Sequence, residues 1–347
     1  MNRIVVYFVL FFISSSGLAN DYISPFNSLE IKKDTTKYHF FVSGHFYGSD
    51  KNQSGLPANT ILGNLDWINQ QEPYMFIHLG DLFKDVNTNI PNYERTLFSK
   101  LKSPLVNTVG NHDISGTTYQ DNYGETDFSF EVANDLHIIL DTEKNNGDLS
   151  NEQLGLIKSA QRAGLAYDNI FIYTHRTIWK DGYSDLNGLF SDNTQSITGN
   201  NFSSEVKPLI EDLAKNSNLY WMSGSMGTAP ASFFHYENSG VTFIATAIRE
   251  LPRDAILEVI VDGSNTSFQT HSLTRQELSS LETYNVEFWQ SNLGVEPYNY
   301  KLIPYYFEVM LTHRFFWYGV LWTFFGVTVI YLFVRRKKRK SKIKPSA

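Results

Sequence analysis

The sequence predicts an α/β domain, with helices outside a β-sheet core, followed by one membrane-spanning helix. Three observations carry that prediction. Short apolar runs alternate with amphipathic stretches through the first part of residues 36–270. Strands follow one another in series through the later part. Near the C-terminus, Phe315 to Val334 reads FFWYGVLWTFFGVTVIYLFV, twenty residues without a charge. As a helix that run is about 30 Å long, the thickness of a bilayer core.

In chain order, Arg3 precedes the apolar run Ile4–Ile13, and the small residues Gly17 and Ala19 follow. That order predicts a secretory signal over 1–19, cleaved after Ala19. Residues 20–35 are a lead into the domain. Tyr38–Val42 reads as a buried strand, Ile61–Ile68 has helical spacing, and Met75–Leu79 is the next strand. Tyr93–Leu101 suits a helix and Leu105–Val109 a third strand. Asp127–Val132 and Leu136–Leu140 form a pair joined by the turn Ala133-Asn134-Asp135. Ser150 is placed to cap a helix over Asn151–Gln161. Ile170–Tyr173 is a strand and Glu205–Ala214 a helix. Leu219–Met222, Val241–Ala247 and Ala255–Val261 are further strands, the last stopped by Asp262-Gly263. Residues 271–314 read as a helical juxtamembrane segment, 315–334 as the transmembrane helix and 335–347 as a basic tail.

Arg335-Arg336-Lys337-Lys338-Arg339-Lys340 follows the apolar run at once. By the positive-inside rule the tail is expected in the cytoplasm and the domain outside it, in the periplasm of a Gram-negative cell. Between residues 20 and 334 there are 20 bases and 36 acids, a net of −16. Such a domain is a poor partner for nucleic acid and a permissive one for cations. The chain has no cysteine, which excludes thiol chemistry and cysteine-bound zinc.

In α/β sheets, active sites gather at the carboxyl ends of strands. Here one strand runs into Ser43-Gly44-His45 and the next into Gly80-Asp81. A third runs into Gly110-Asn111-His112-Asp113 and a fourth into Thr174-His175-Arg176. Taken singly, each has an ordinary explanation as a turn or a packed histidine. Taken together, an Asp, an Asn and several His make a ligand set suited to Mn, Fe or Zn.

These motifs resemble those of the calcineurin-like metallophosphoesterases, whose order is Asp-x-His, Gly-Asp-x-x-Asp, Gly-Asn-His-Asp/Glu, a lone His, then Gly-His-x-His. The resemblance covers roughly residues 36–270, and Gly110-Asn111-His112-Asp113 is its most specific element. It implies a β-sandwich flanked by helices and a centre of one or two divalent metal ions. It implies that Asp81 bridges the metals, that Asn111 and His175 hold the second, and that His45 holds the first. His112 takes the place of the residue that contacts phosphate and protonates the leaving group. Asp85 stands one residue past the family's second acid, with Lys84 at the expected position. Three ligand positions depart: Ser43 replaces the first Asp, and Ser225 and Gly227 replace both histidines of the last motif.

Two functions fit. One is a membrane-anchored, extracytoplasmic phosphoesterase with an incomplete two-metal site. It would hydrolyse a phosphate ester, such as a lipid- or sugar-linked one, through metal-bound hydroxide. The other is a non-catalytic binding or scaffolding protein of the cell envelope or of polysaccharide assembly. His39, His78, His137 and His235 lie in apolar strands and are expected to be structural, and His313 borders the membrane.

Overall fold

The chain is described from a computed structural model covering residues 22–161, 167–190, 200–227, 229–250, 252–294, 303, 307, 310–311 and 314–341. The expected signal over 1–19, His313 and parts of the juxtamembrane segment and tail lie outside the described residues. In chain order the strands are β1 (Tyr22–Ile23), β2 (Glu30–Ile31), β3 (Lys37–Ser43), β4 (Phe76–Leu79), β5 (Leu105–Thr108), β6 (Phe128–Val132) and β7 (Asp135–Ile139). They continue as β8 (Asn169–Thr174), β9 (Asn218–Ser223), β10 (Phe233–Asn238), β11 (Val241–Thr246), β12 (Ala255–Asp262) and β13 (Asn265–Ser272). The helices are α1 (Asn59–Leu62), α2 (Leu65–Gln70), α3 (Val86–Tyr93), α4 (Thr118–Tyr123), α5 (Asn151–Ser159), α6 (Lys207–Leu213), α7 (Val286–Asn292) and α8 (Arg314–Ser341).

Two sheets face each other. One has the order β13-β12-β3-β4-β5 and the other β10-β11-β9-β8-β7-β6. The period-2 alternation of strands explains how they pack. In β3, Tyr38, Phe40 and Val42 turn toward the second sheet, while Phe41 turns outward under the helices. In β8, Phe171 and Tyr173 turn inward, while Ile170 and Ile172 pack with helix residues such as Ile157 and Ile210. Each fully buried side chain of this kind contributes roughly 1.5–3 kcal/mol. Both faces of these strands are covered, which is why their sequences read as near-continuous apolar runs.

Within the first sheet, β3, β4 and β5 are parallel. Within the second, β7, β8, β9 and β11 are parallel. Backbone hydrogen bonds from His45 N to the Gly80 carbonyl (2.9 Å), from Ser225 N to the His175 carbonyl (2.7 Å) and from Ile248 N to the Gly44 carbonyl (3.0 Å) bring their carboxyl ends to one rim.

Most expected elements are present within a residue or two. The expected helix over Ile61–Ile68 is two short helices, α1 and α2, separated at Gly63-Asn64. The helix expected from Tyr93 begins at Val86, capped by Asp85, and runs through Pro91 into a π turn over Glu94–Phe98. β13 pairs with β12 along its whole length, and its outer face is open to solvent, so it lacks the apolar run that marks the others. Residues 22–31 are tied to the domain: Ile31 is buried and Phe26 stacks on Tyr123. The transmembrane expectation falls within α8, where Arg314–Lys338 is long and apolar enough to cross a membrane, with mean hydropathy 1.7 and no burial.

Candidate metal centre

Asp81 sits in the turn after β4, with φ 59°. Its Oδ2 lies 3.4 Å from His45 Nδ1, and its Oδ1 lies 3.6 Å from His175 Nε2. These three buried groups offer ligand atoms within 4.8 Å of one another. Asp81 Oδ1 also accepts a hydrogen bond from His112 N at 3.1 Å, which sets the β5 loop against the carboxylate. Close approach is possible because Gly110 has no side chain. A Cβ there would stand 2.2 Å from Asp81 Oδ1.

The hydrogen bonds fix which ring nitrogens face the centre. His175 Nδ1 lies 2.8 Å from the Leu79 carbonyl. A carbonyl only accepts, so Nδ1 carries the proton and Nε2 presents its lone pair to Asp81. His112 Nδ1 donates in the same way to the Lys84 carbonyl at 3.0 Å, leaving Nε2 for chemistry. Burial, then the charge of Arg249 and of His175, His78 and His112, hold His45 well below the usual imidazole range. It is neutral, as a ligand must be.

The residues fit a divalent cation on their own evidence. Both nitrogens of His45, Nε2 of His175 and Oδ1 of Asn111 are buried without a hydrogen-bond partner. Orphaned polar atoms of this kind are costly unless a partner meets them, and the lone pairs among them suit a cation. Two donors about 2.1 Å from a tetrahedral ion lie about 3.4 Å apart, close to the separations around Asp81.

The predicted residues thus meet at one rim: His45, Asp81 and His175 as a cluster, with the Asn111-His112 turn bound to it. Asp85 is not paired with His112. Its carboxylate accepts from Asn87 N at 3.0 Å and Thr88 Oγ1 at 2.9 Å, as the N-cap of α3. Asp113 accepts from Phe83 N and Gly110 N, each at 2.9 Å, tying the β4 and β5 loops together. Burial and nearby Asp81 push its carboxyl up, against the pull of backbone N–H groups. At the three departed positions, Ser43 Oγ is buried without a hydrogen bond, Ser225 N is bound to the His175 carbonyl, and Gly227 takes φ 62°. Among the described residues no imidazole replaces the missing ones there. His235 pairs with Glu237 at 3.5 Å on β10. His78 accepts from Phe46 N at 3.1 Å, His137 lies between Tyr38 and Tyr173, and His39 pairs with Glu258 at 2.7 Å.

Sequence reasoning missed two neighbours of the centre. Tyr47 has its ring 4.8 Å from that of His112 and 5.6 Å from that of His45. Arg249 follows β11 and acts on His45 through its charge. Both lie just past strand ends, so the rule that found the other groups also reaches these.

The family model for calcineurin-like phosphoesterases matches residues 57–218. Over that span the chain is similar to the family, as the motifs in its sequence lead one to expect. The matched span holds Asp81, Asn111, His112 and His175, and leaves Ser43, His45, Ser225 and Gly227 outside. Among solved structures, a dimetal phosphatase from Danio rerio aligns at 11% identity, covering 68% of this chain and 99% of that one, with a TM-score of 0.47. A purple acid phosphatase from yellow lupin (Lupinus luteus) seeds aligns at 10% identity over 73% of this chain and 54% of that one, also at 0.47. A cold-active protein-tyrosine phosphatase of a psychrophilic Shewanella species aligns at 11% identity over 67% and 80%, at 0.27. No curated protein matches the chain.

Proposed function

We propose that the protein is a metal-dependent phosphoesterase anchored by α8, with its domain outside the cytoplasm and its basic tail inside. The observation that carries the reading is the cluster of His45, Asp81 and His175, in which both nitrogens of His45 and Nε2 of His175 are buried without a hydrogen-bond partner. Asp81, Asn111 and His175 would hold one divalent ion, Mn, Fe or Zn, while His45 lies against the other oxygen of the same carboxylate. Bound there, such an ion would supply Lewis acidity at a phosphoryl oxygen. His112, braced through Nδ1 by the Lys84 carbonyl, holds a proton on Nε2 for the leaving ester oxygen. Asp81 orients the His112 turn by accepting its N–H. The substrate is a phosphate ester. Anchoring beside lipid favours one presented at the membrane surface, such as a phospholipid or a lipid-linked sugar phosphate.

A second reading, a phosphoesterase fold retained for binding or scaffolding, is favoured by Ser43, Ser225 and Gly227 at ligand positions. One experiment separates the two. The full-length protein in detergent is assayed for Mn, Fe and Zn content and for turnover of a generic monoester and diester. The phosphoesterase reading expects bound metal that is lost in His175→Ala, and turnover at least ~100-fold lower in His112→Ala, as for loss of a general acid. Metal-free protein, with no turnover above Asp81→Asn and His112→Ala controls, sinks it in favour of the scaffold.

A further inference from the structure

Of the family's four ligands for each ion, the second ion keeps Asp81, Asn111 and His175, whereas the His45 side keeps only His45 and Asp81. A bare deletion of ligands there would leave His45 and Asp81 facing a gap in positive charge. The segment after β11 carries a permanent cation to that side. Ile248 N donates to the Gly44 carbonyl at 3.0 Å, so the segment after β11 lies against the turn that carries His45. The next residue is Arg249. Its backbone is pinned, its N–H donating to Asp254 Oδ1 at 3.0 Å, while Asp254 Oδ2 accepts from Thr60 at 2.8 Å. Its side chain is half-buried, and its Nε is shut away from solvent with no hydrogen-bond partner. Among the described residues the guanidinium makes no ion pair. The adjoining acid, Glu250, accepts from Asn59 N at 3.1 Å instead.

A guanidinium held in place without an anion is costly unless an anion arrives. Its planar fork of donors matches two oxygens of a phosphoryl group. A divalent ion beside it on the same side would be repelled.

We propose that Arg249 anchors the phosphoryl oxygens of the substrate and replaces the cation on the His45 side, so that the centre works with a single divalent ion. This rests on the phosphoesterase reading.

The test titrates full-length protein in detergent with inorganic phosphate by calorimetry, with and without Mn, and counts metal per chain. Wild type is expected to hold about one Mn, and Arg249→Gln to keep it while binding phosphate at least ~10-fold more weakly. Arg249→Lys recovers part of that loss, because it keeps the charge without the fork. Phosphate binding unchanged in Arg249→Gln overturns the proposal, as does a wild type that holds two Mn or binds no phosphate. Should Arg249→Gln fail to fold, Arg249→Lys decides, and unchanged phosphate affinity overturns the proposal. Wild type that binds metal and phosphate but turns over no ester contradicts the phosphoesterase reading and leaves Arg249 as an anion anchor. An active wild type with an indifferent Arg249→Gln does the reverse.

Discussion

Asp81 is held from three sides, and the tightest of these is a glycine. A methyl group on Gly110 would meet Asp81 Oδ1 at 2.2 Å and Asp81 N at 2.4 Å, and neither can give way without moving the carboxylate. Gly110→Ala should therefore weaken metal binding by ~10–100-fold, the range seen when a ligand's support is disturbed. Mn titration of the variant against wild type checks this. The predicted site residues were legible because each lies where a buried strand stops, and because Asp, Asn and His in that position have few structural uses in common. Arg249 and Tyr47 were not. Arginine and tyrosine are everyday surface and core residues, and only the hydrogen bond from Ile248 to Gly44 brings Arg249 beside His45. The replacement of both last-motif histidines by Ser225 and Gly227 was legible as a loss. What stands beside the loss was not.

At the scale of elements, Asp85 shows how a motif position can change purpose. It caps α3 through Asn87 N and Thr88 Oγ1, while Lys84 lends its carbonyl to His112. Asp85→Ala should cost about 1 kcal/mol of stability, as for loss of an N-cap. The pH profile of turnover should stay unmoved. Thermal unfolding and the acid limb of kcat report the two effects separately, and a shifted acid limb would restore Asp85 as a partner of His112. The strands of both sheets were legible from their apolar runs because they are covered on both faces. β13 was not, since its outer face is solvated and its place is set by pairing with β12. α3 was read from the wrong end because Pro91 hides a helix whose start is marked only by the Asp85 cap.

Across the whole molecule, His78 and His137 are core histidines that acid must charge. Burial depresses His78 and His137 to about 3. The unfolded chain takes up these protons near 6.5, whereas the folded chain resists until about 3. Folded stability is therefore complete above pH 6.5 and is lost as pH falls from 6.5 toward 3, by on the order of a few kcal/mol for each histidine. Chemical denaturation between pH 7 and pH 4 should show this fall, and His137→Gln should reduce its slope. The whole-molecule plan, a domain followed by an apolar helix and a cationic tail, was legible from composition alone. The number of ions in the centre was not, because it depends on which side chains meet at the rim of two sheets. Electron paramagnetic resonance of the full-length protein loaded with Mn tests that point most directly. The spectrum of one isolated Mn ion per chain, abolished by His175→Ala, is the expected result. An exchange-coupled pair of Mn ions, or no bound Mn at all, would contradict it.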